Sequence, residues 1–469
     1  MANGQNSKRN AKRADRAFPL ALPVLRARVA GIDIGSREHW VSGPRREDGQ
    51  PNVRTFGTTT PQLERLADWL AEQGVESVAM ESTSVYWIPV YELLESRGFE
   101  VLLVNARQLH NVPGRKTDML DCQWIQLLHS CGLLRGSFRP ADAICRLRGL
   151  QRQRENLVRE QTKSIQWLQK ALDQMNIQVH HAVADITGKT GLAIIRAIVA
   201  GERDPKKLAA LRDRRCRKSE PQIAECLTGN WRDDHLYNLA MALRLYDTLQ
   251  EMITAYDKRL EQELDTQLPP DHHDTPVPPH PKSSKERAIE RRNEQSLRSH
   301  LWRFAGVDLT RIDGLSAPSA CTVLAEIGPD LSRFPTEDHF VSWLRLAPKT
   351  GYSAGKPVKK TRNAMGATRV ALVLRMAAQS VQRSKSAIGA FFRHVARAKG
   401  YSVAIFATAR KLAQHIYRML RHGQDYVDIG QEAYEAQFTK RRIAGITTAA
   451  RDLGYNLVPI PKAATEVSG

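Results

Sequence analysis

Four carboxylates in the N-terminal part of the chain have the types and spacing of a divalent-cation site. Asp33 lies in the apolar run VAGIDIG, and Glu81 near the end of a second run, ESVAMES. Asp118 and Asp121, in KTDMLD, are spaced i, i+3, which projects both from one face of a helix. Carboxylates gathered from two strand ends and one helix suit hard cations such as Mg2+, which take few ligands and prefer oxygen. Two such ions about 3.5–4 Å apart stabilise the attacking and leaving oxygens of a phosphodiester displacement. If the four converge, the expected chemistry is the cutting or rejoining of nucleic acid. Clustered carboxylates repel one another and hold protons unless a cation neutralises them. Without metal the site is therefore expected to be inactive and locally destabilised. Asp48, Asp68 and Asp142 are the nearest alternative acids, but none follows an apolar strand run.

A second set of candidates lies in LRLAPKTGYSAGKPVKKTRNAMGATR, residues 344–369. Ser353 occupies a short Gly-flanked loop, with Lys349, Lys356, Lys359, Lys360, Arg362 and Arg369 around it as candidate nucleic-acid contacts. A serine hydroxyl attacks phosphorus only when activated, with cations nearby to absorb the developing charge. In a basic loop it serves more often as a hydrogen-bond donor to phosphate. From His339 to Gln424 there is no Asp or Glu, against 17 Lys and Arg. An ordinary solvated face mixes signs, so phosphate contact is the better explanation. Upstream, RIDGLSAPSACTVLAEIG (311–328) has the pattern of a helix-hairpin-helix, whose backbone N–H groups hold a phosphate. Ser316 stands where a second Gly is usual, which leaves a plain helical turn as an equal alternative.

These side chains must be carried by a scaffold, and the fold class expected is α/β plus α. Residues 1–26 read as a basic disordered arm. Residues 27–140 alternate strand and helix signals: strands RVAGIDIG, HWVSGP, VRTFGTT, ESVAMES and EVLLVNA, with helices over 61–73, 86–97 and 117–130. Three successive strands followed by strand–helix units describe a mixed sheet, in the order of an RNase H-like fold. A generic doubly wound domain is the alternative, but its Gly-rich phosphate fingerprint after the first strand is missing. Residues 141–265 are helical in pattern, with apolar stripes from Leu150 to Met175 and from Leu236 to Leu264. Such stripes suit either a helical hairpin or a dimer-forming coiled coil. Residues 266–300 read as a Pro- and charge-rich linker, 301–425 as a second, basic and mainly helical globular unit, and 426–469 as a mostly helical tail.

A chain of 469 residues exceeds one core. Its net charge of +20 calls for a polyanionic partner, DNA or RNA in the first instance. Six scattered cysteines, with no C-x2-C pair, argue against a zinc ribbon or a disulfide framework and fit a reducing cytoplasm. The N-terminal apolar run is short and holds prolines, so it does not read as a signal peptide, and no window approaches a membrane span.

AGIDIGSREHWV and MESTSVYWIPVYELLESRGFEVLLVNARQLHNVPGRKTDMLDCQWIQLLHSCGLL resemble the DEDD domain of insertion-sequence-110 family transposases. FAGVDLTRIDGLSAPSACTVLAEIGPDLSRF, LRLAPKTGYSAGK and ATARKLAQHIYRMLRHG resemble the C-terminal transposase domain of the same family. The resemblance implies a RuvC-like domain over 27–140, with Asp33, Glu81, Asp118 and Asp121 as Mg2+ ligands. It also implies that Ser353 is a nucleophile forming a transient phosphoserine link to DNA. Partners implied are donor and target DNA, a bridge RNA that pairs with both, and a homo-oligomer in which dimers assemble into a tetramer. The helical segment would supply dimer contacts and RNA binding. A bacterial cytoplasmic location, at the nucleoid when DNA is bound, goes with this. Ala354 departs from the family's serine loop, and Ala371 stands where an Arg is common. Competing expectations are a site-specific DNA invertase of the same family, a RuvC-type nuclease without serine chemistry, and a non-catalytic nucleic-acid-binding protein.

Overall fold

The computed structural model describes residues 23–82, 84–105, 121–268, 276, 279, 292–347, 351–353, 356–358 and 368–458. The chain divides into two compact units, Met1–Arg139 and Pro140–Gly469.

The N-terminal unit is built on five strands: β1 (Val29–Ile34), β2 (Glu38–Gly43), β3 (Asn52–Gly57), β4 (Ser77–Glu81) and β5 (Glu100–Val104). Their spatial order is β3-β2-β1-β4-β5. β1–β2 and β2–β3 pair antiparallel, whereas β1–β4 and β4–β5 pair parallel. Gly35 allows the sharp return from β1 to β2: a Cβ there would lie 2.4 Å from the Glu38 carbonyl oxygen. Two helices cover one face, α1 (Thr60–Glu72) and α2 (Trp87–Ser96). Leu63, Leu66 and Leu70 of α1, at spacings of three and four, pack there with Ile32, Ile34, Val41, Val78 and Met80. A third helix, α3 (Asp121–Ser130), covers the opposite face, where Trp124, Ile125 and Leu128 meet Ala79 and Val104. The mixed sheet, helix-covered on both faces, is consistent with an RNase H-like domain.

Among the described residues the second unit is helical apart from one ribbon. Its long members are α4 (Asp142–Gln174) and, after the short helices α5 (Val179–Ala182), α6 (Lys189–Val199), α7 (Pro205–Ala210) and α8 (Glu220–Cys226), α9 (Asp233–Thr266). Arg146 meets Glu263, Arg154 meets Asp257, and Gln161 meets Gln250, so α4 and α9 run antiparallel. The apolar stripes left open by the sequence close on each other within the chain: Leu157 packs on Leu249 and Ile253. At one end of the pair Leu168 and Leu243 share a core with Ile194, Leu208 and Ile223 of the short helices. At the other end Leu147, Leu260 and Leu264 join the core of the C-terminal helices.

Those helices are α10 (Arg292–Ala305), α11 (Ala317–Ile327), α12 (Glu337–Trp343), α13 (Arg369–Ser380), α14 (Ala387–Lys399), α15 (Tyr401–His422) and α16 (Gly430–Asp452). Helix α10 starts inside the 266–300 stretch expected as a linker, so its last residues are helical; most of the remainder lies outside the described residues. Leu297 and Leu301, four apart, explain the difference by docking this helix into the core. Ser316 N-caps α11 by accepting from the Ser319 backbone N–H, the role of a capping residue at an ordinary helix start. No helix among the described residues is long and apolar enough to cross a membrane.

Candidate active site

Asp33 and Glu81 come together because β1 and β4 run side by side and parallel. Their register pairs Gly31 with Ala79 and Ile32 with Met80, so the next step along both strands sets Asp33 beside Glu81. Side-chain alternation puts both carboxylates on the α3 face. Gly31, two residues before Asp33, lies against the α3 backbone, and Ala79, two before Glu81, packs on Trp124 and Ile125. Both carboxylates are half-buried at the carboxyl ends of their strands.

Helix α3 carries the third carboxylate, Asp121, exposed in its first turn. Its close approach depends on Gly31, where a Cβ would stand 2.3 Å from the Cys122 carbonyl oxygen and 2.4 Å from the Gln126 backbone nitrogen. Gln126 then ties helix to sheet. Its Oε1 accepts from Ser42 Oγ at 2.8 Å, and its Nε2 donates to the carbonyls of Gly43 (2.5 Å) and Val29 (3.2 Å). Burial pushes the Cys122 thiol up to about 11, and the negative charge of Asp33 adds to the effect. The first turn of α3 is thus within electrostatic reach of Asp33, and the thiol beside it stays protonated at neutral pH.

Asp118 lies outside the described residues. Among the described residues no group of three or more His, Cys, Asp or Glu could by itself hold a metal ion. What is assembled is a carboxylate pair on adjacent strands with Asp121 on the helix packed against them. Carboxylate oxygens are the donor type that a hard divalent cation prefers.

The same sheet face carries a residue that sequence reasoning missed. Trp40 is the direct cross-strand partner of Asp33 and is 38% exposed. Its indole Nε1 donates to Glu38 Oε1 at 3.1 Å. Gly31 and Gln126 were missed as well. Gly31 had a local signal, since a Gly inside an apolar strand run marks close backbone approach. Gln126 had none, because the groups it binds are delivered by strand register.

The serine region is described only in part. Ser353 ends a three-residue strand, β6 (Gly351–Ser353), which pairs antiparallel with β7 (Lys356–Val358), and Ser353 faces Lys356 in the register. Lys349, Lys359, Lys360 and Arg362 lie outside the described residues. Arg369 opens α13 and is held by acids: its Nη1 donates to Glu155 Oε2 at 2.6 Å, and its Nε is 3.8 Å from Glu326. Arg152 makes a two-pronged contact to the same Glu326, at 2.7 and 2.8 Å. Elsewhere in the acid-free stretch Arg410 pairs with Asp338 and Arg418 with Glu337. Acids on α4, α11 and α12 therefore neutralise part of the positive charge, while Arg383, Lys385, Arg397, Lys399 and Arg421 remain exposed.

Residues 30–177 match a family model described as a transposase, of the IS110 DEDD type, and residues 307–393 match one described as the transposase IS116/IS110/IS902 family. Together the two matches span roughly half of the 469 residues. No curated protein matches the chain. With strand-end carboxylates in the first matched region and a basic helical unit holding the second, the class is that of a DNA transposase, an enzyme that breaks and rejoins DNA strands. The chain belongs to the IS110 family of transposases.

Proposed function

We propose that the chain is the recombinase of an insertion sequence, with Asp33, Glu81, Asp118 and Asp121 as ligands of Mg2+ and Ser353 as the nucleophile. The observation that carries this reading is the β1–β4 register, which sets Asp33 beside Glu81 on the face where α3 packs. When bound, Mg2+ would neutralise negative charge on a phosphate at these carboxylates. In the serine step, Ser353 Oγ attacks phosphorus and one P–O bond of the DNA backbone breaks. The serine proton passes to the departing DNA oxygen. The phosphoserine link conserves the bond energy, so a hydroxyl of another strand displaces the serine and closes a new phosphodiester. Lys356, opposite Ser353 in the ribbon, is the nearest basic residue by register, with Lys349, Lys359, Lys360 and Arg362 close in sequence. Arg369, whose partly exposed guanidinium pairs with Glu155 at the start of α13, is a further candidate contact.

The partners proposed are donor and target DNA, with a bridge RNA that selects them by base pairing and so leaves no sequence code in the protein. The net charge of +20 supports a polyanionic partner. Assembly is proposed as dimers pairing into a tetramer, with carboxylate and serine sites contributed by different protomers. The test is incubation of the chain with cognate DNA, candidate RNA and Mg2+. A DNA adduct on Ser353 is expected, absent in Ser353→Ala. Asp33→Asn should lose cleavage altogether. A Ser353→Ala chain that cleaves normally and never carries a covalent adduct would leave a plain metallonuclease.

A further inference from the structure

Trp40 stands where a group bound at the carboxylates would meet it. It pairs directly with Asp33 across β1 and β2, and directly opposed residues lie about 4.5–5.5 Å apart at their Cα atoms with side chains on one face. That this is the α3 face follows independently from Ser42, two residues further along β2, which donates to Gln126 of α3. The bond to Glu38 fixes the edge of the indole. Among the described residues no aromatic ring or cation stacks on it. Its neighbours on that face are polar: Asp33 on β1, Glu38 along its own strand, and the exposed Thr55, its partner on β3. A protein interface is built around a contiguous apolar patch. A single oriented Trp among carboxylates and hydroxyls suits a flat, polar-edged group instead.

We infer that Trp40 is a stacking platform for an unpaired nucleobase adjoining the phosphate held at Asp33 and Glu81. The inference rests on the catalytic reading of those carboxylates. A DNA strand that is being exchanged must leave its duplex, and an aromatic face beside the reacting phosphate holds the exposed base whatever its sequence. The platform would thereby position the strand over the carboxylates without reading it.

The experiment uses the full chain with Ca2+ in place of Mg2+, so that DNA binds without turnover. The probe is a short thymidine oligonucleotide carrying one fluorescent adenine analogue, as a single strand and as a duplex. With the unaltered chain the analogue in the single strand should be quenched by stacking. Trp40→Leu, which keeps an apolar side chain and removes the ring, should abolish the quench and weaken single-strand binding about 10- to 100-fold, with duplex binding little changed. Trp40→Phe should restore most of both. Quenching and affinity unchanged in Trp40→Leu would overturn the inference. So would a Trp40→Leu chain whose only defect is a changed oligomeric mass, since that would make Trp40 a protein contact. Normal cleavage by Asp33→Asn would instead overturn the catalytic reading, and with it the placing of the base beside a reacting phosphate.

Discussion

Replacing Gly31 with alanine isolates the contact that brings helix and strand carboxylates together. The new methyl carbon would meet the Cys122 carbonyl oxygen at 2.3 Å and the Gln126 nitrogen at 2.4 Å. Both are backbone atoms inside a helical turn, so no rotamer change relieves them. Ordinary contact begins near 3.4 Å, which requires α3 to retreat by roughly 1 Å, and a shift of that size at a reacting centre costs about 100-fold in rate. Overpacking of a close-packed contact costs about 1–3 kcal/mol, and the upper half of that range is expected because Gln126 loses its bonds to Gly43 and Val29 as well. The measurement is peptide-resolved hydrogen exchange, which reports α3 separately from the helical unit, beside a cleavage assay on cognate DNA. Faster exchange confined to α3 and its sheet contacts, with cleavage down about 100-fold, is expected. Gly149, inside α4, provides the opposite case, since nothing lies within 4 Å of a Cβ built there. Gly149→Ala should stabilise the helical unit by about 0.5–1 kcal/mol. A Gly31→Ala chain with unchanged exchange and full cleavage would refute the argument.

Two further outcomes concern stability. Burial holds His129 (Ser77 Oγ at 2.8 Å from its Nε2) down at about 4, with the Arg26 charge adding, and burial beside Lys411 and Arg418 holds His415 at about 4 as well. Between pH 6.5 and 4 the unfolded chain takes up protons that the folded chain refuses, so stability should fall as pH drops through that window. The loss is at most about 3 kcal/mol per histidine. His129→Gln should flatten this acid limb for the N-terminal unit in denaturant titrations, and an unchanged slope would count against it. The buried Arg298–Asp308 pair, at 3.0 Å and 2.5 Å with Thr310 beside it, should behave asymmetrically. Asp308→Ala removes the carboxylate that balances a buried guanidinium and should cost about 3–5 kcal/mol, whereas Arg298→Met with Asp308→Leu should recover much of that. A loss below about 1 kcal/mol for Asp308→Ala would rule out a desolvated pair.

Much of the N-terminal unit was legible in the chain because its signals are local. Runs such as VAGIDI and SVAME mark buried strands, and the Leu63–Leu66–Leu70 spacing marks the helix between them. Three-strand, then strand–helix order determined a mixed sheet. Two acids at the ends of apolar runs determined that their carboxylates would stand at strand ends. Their adjacency depended on a pairing between residues some fifty positions apart, which no local pattern encodes.

Tertiary structure decided what the same side chains do once partners arrive from a distance. The stripes on α4 and α9 were equally suited to a second chain, and the antiparallel pairing of Leu157 with Leu249 and Ile253 consumed them within one. Arg369 looked like a phosphate ligand in a stretch without acids. Glu155, more than two hundred residues earlier, supplies it with an ion-pair partner that no local pattern announces. Trp40 lay unremarked in the strand run HWVSGP, and register set it opposite Asp33. Residue type and periodicity determine what a segment can become, since they act over a few neighbours. Which groups meet is decided by the folded chain, where strand register and backbone clearance at Gly31 bring together atoms that sequence distance separates.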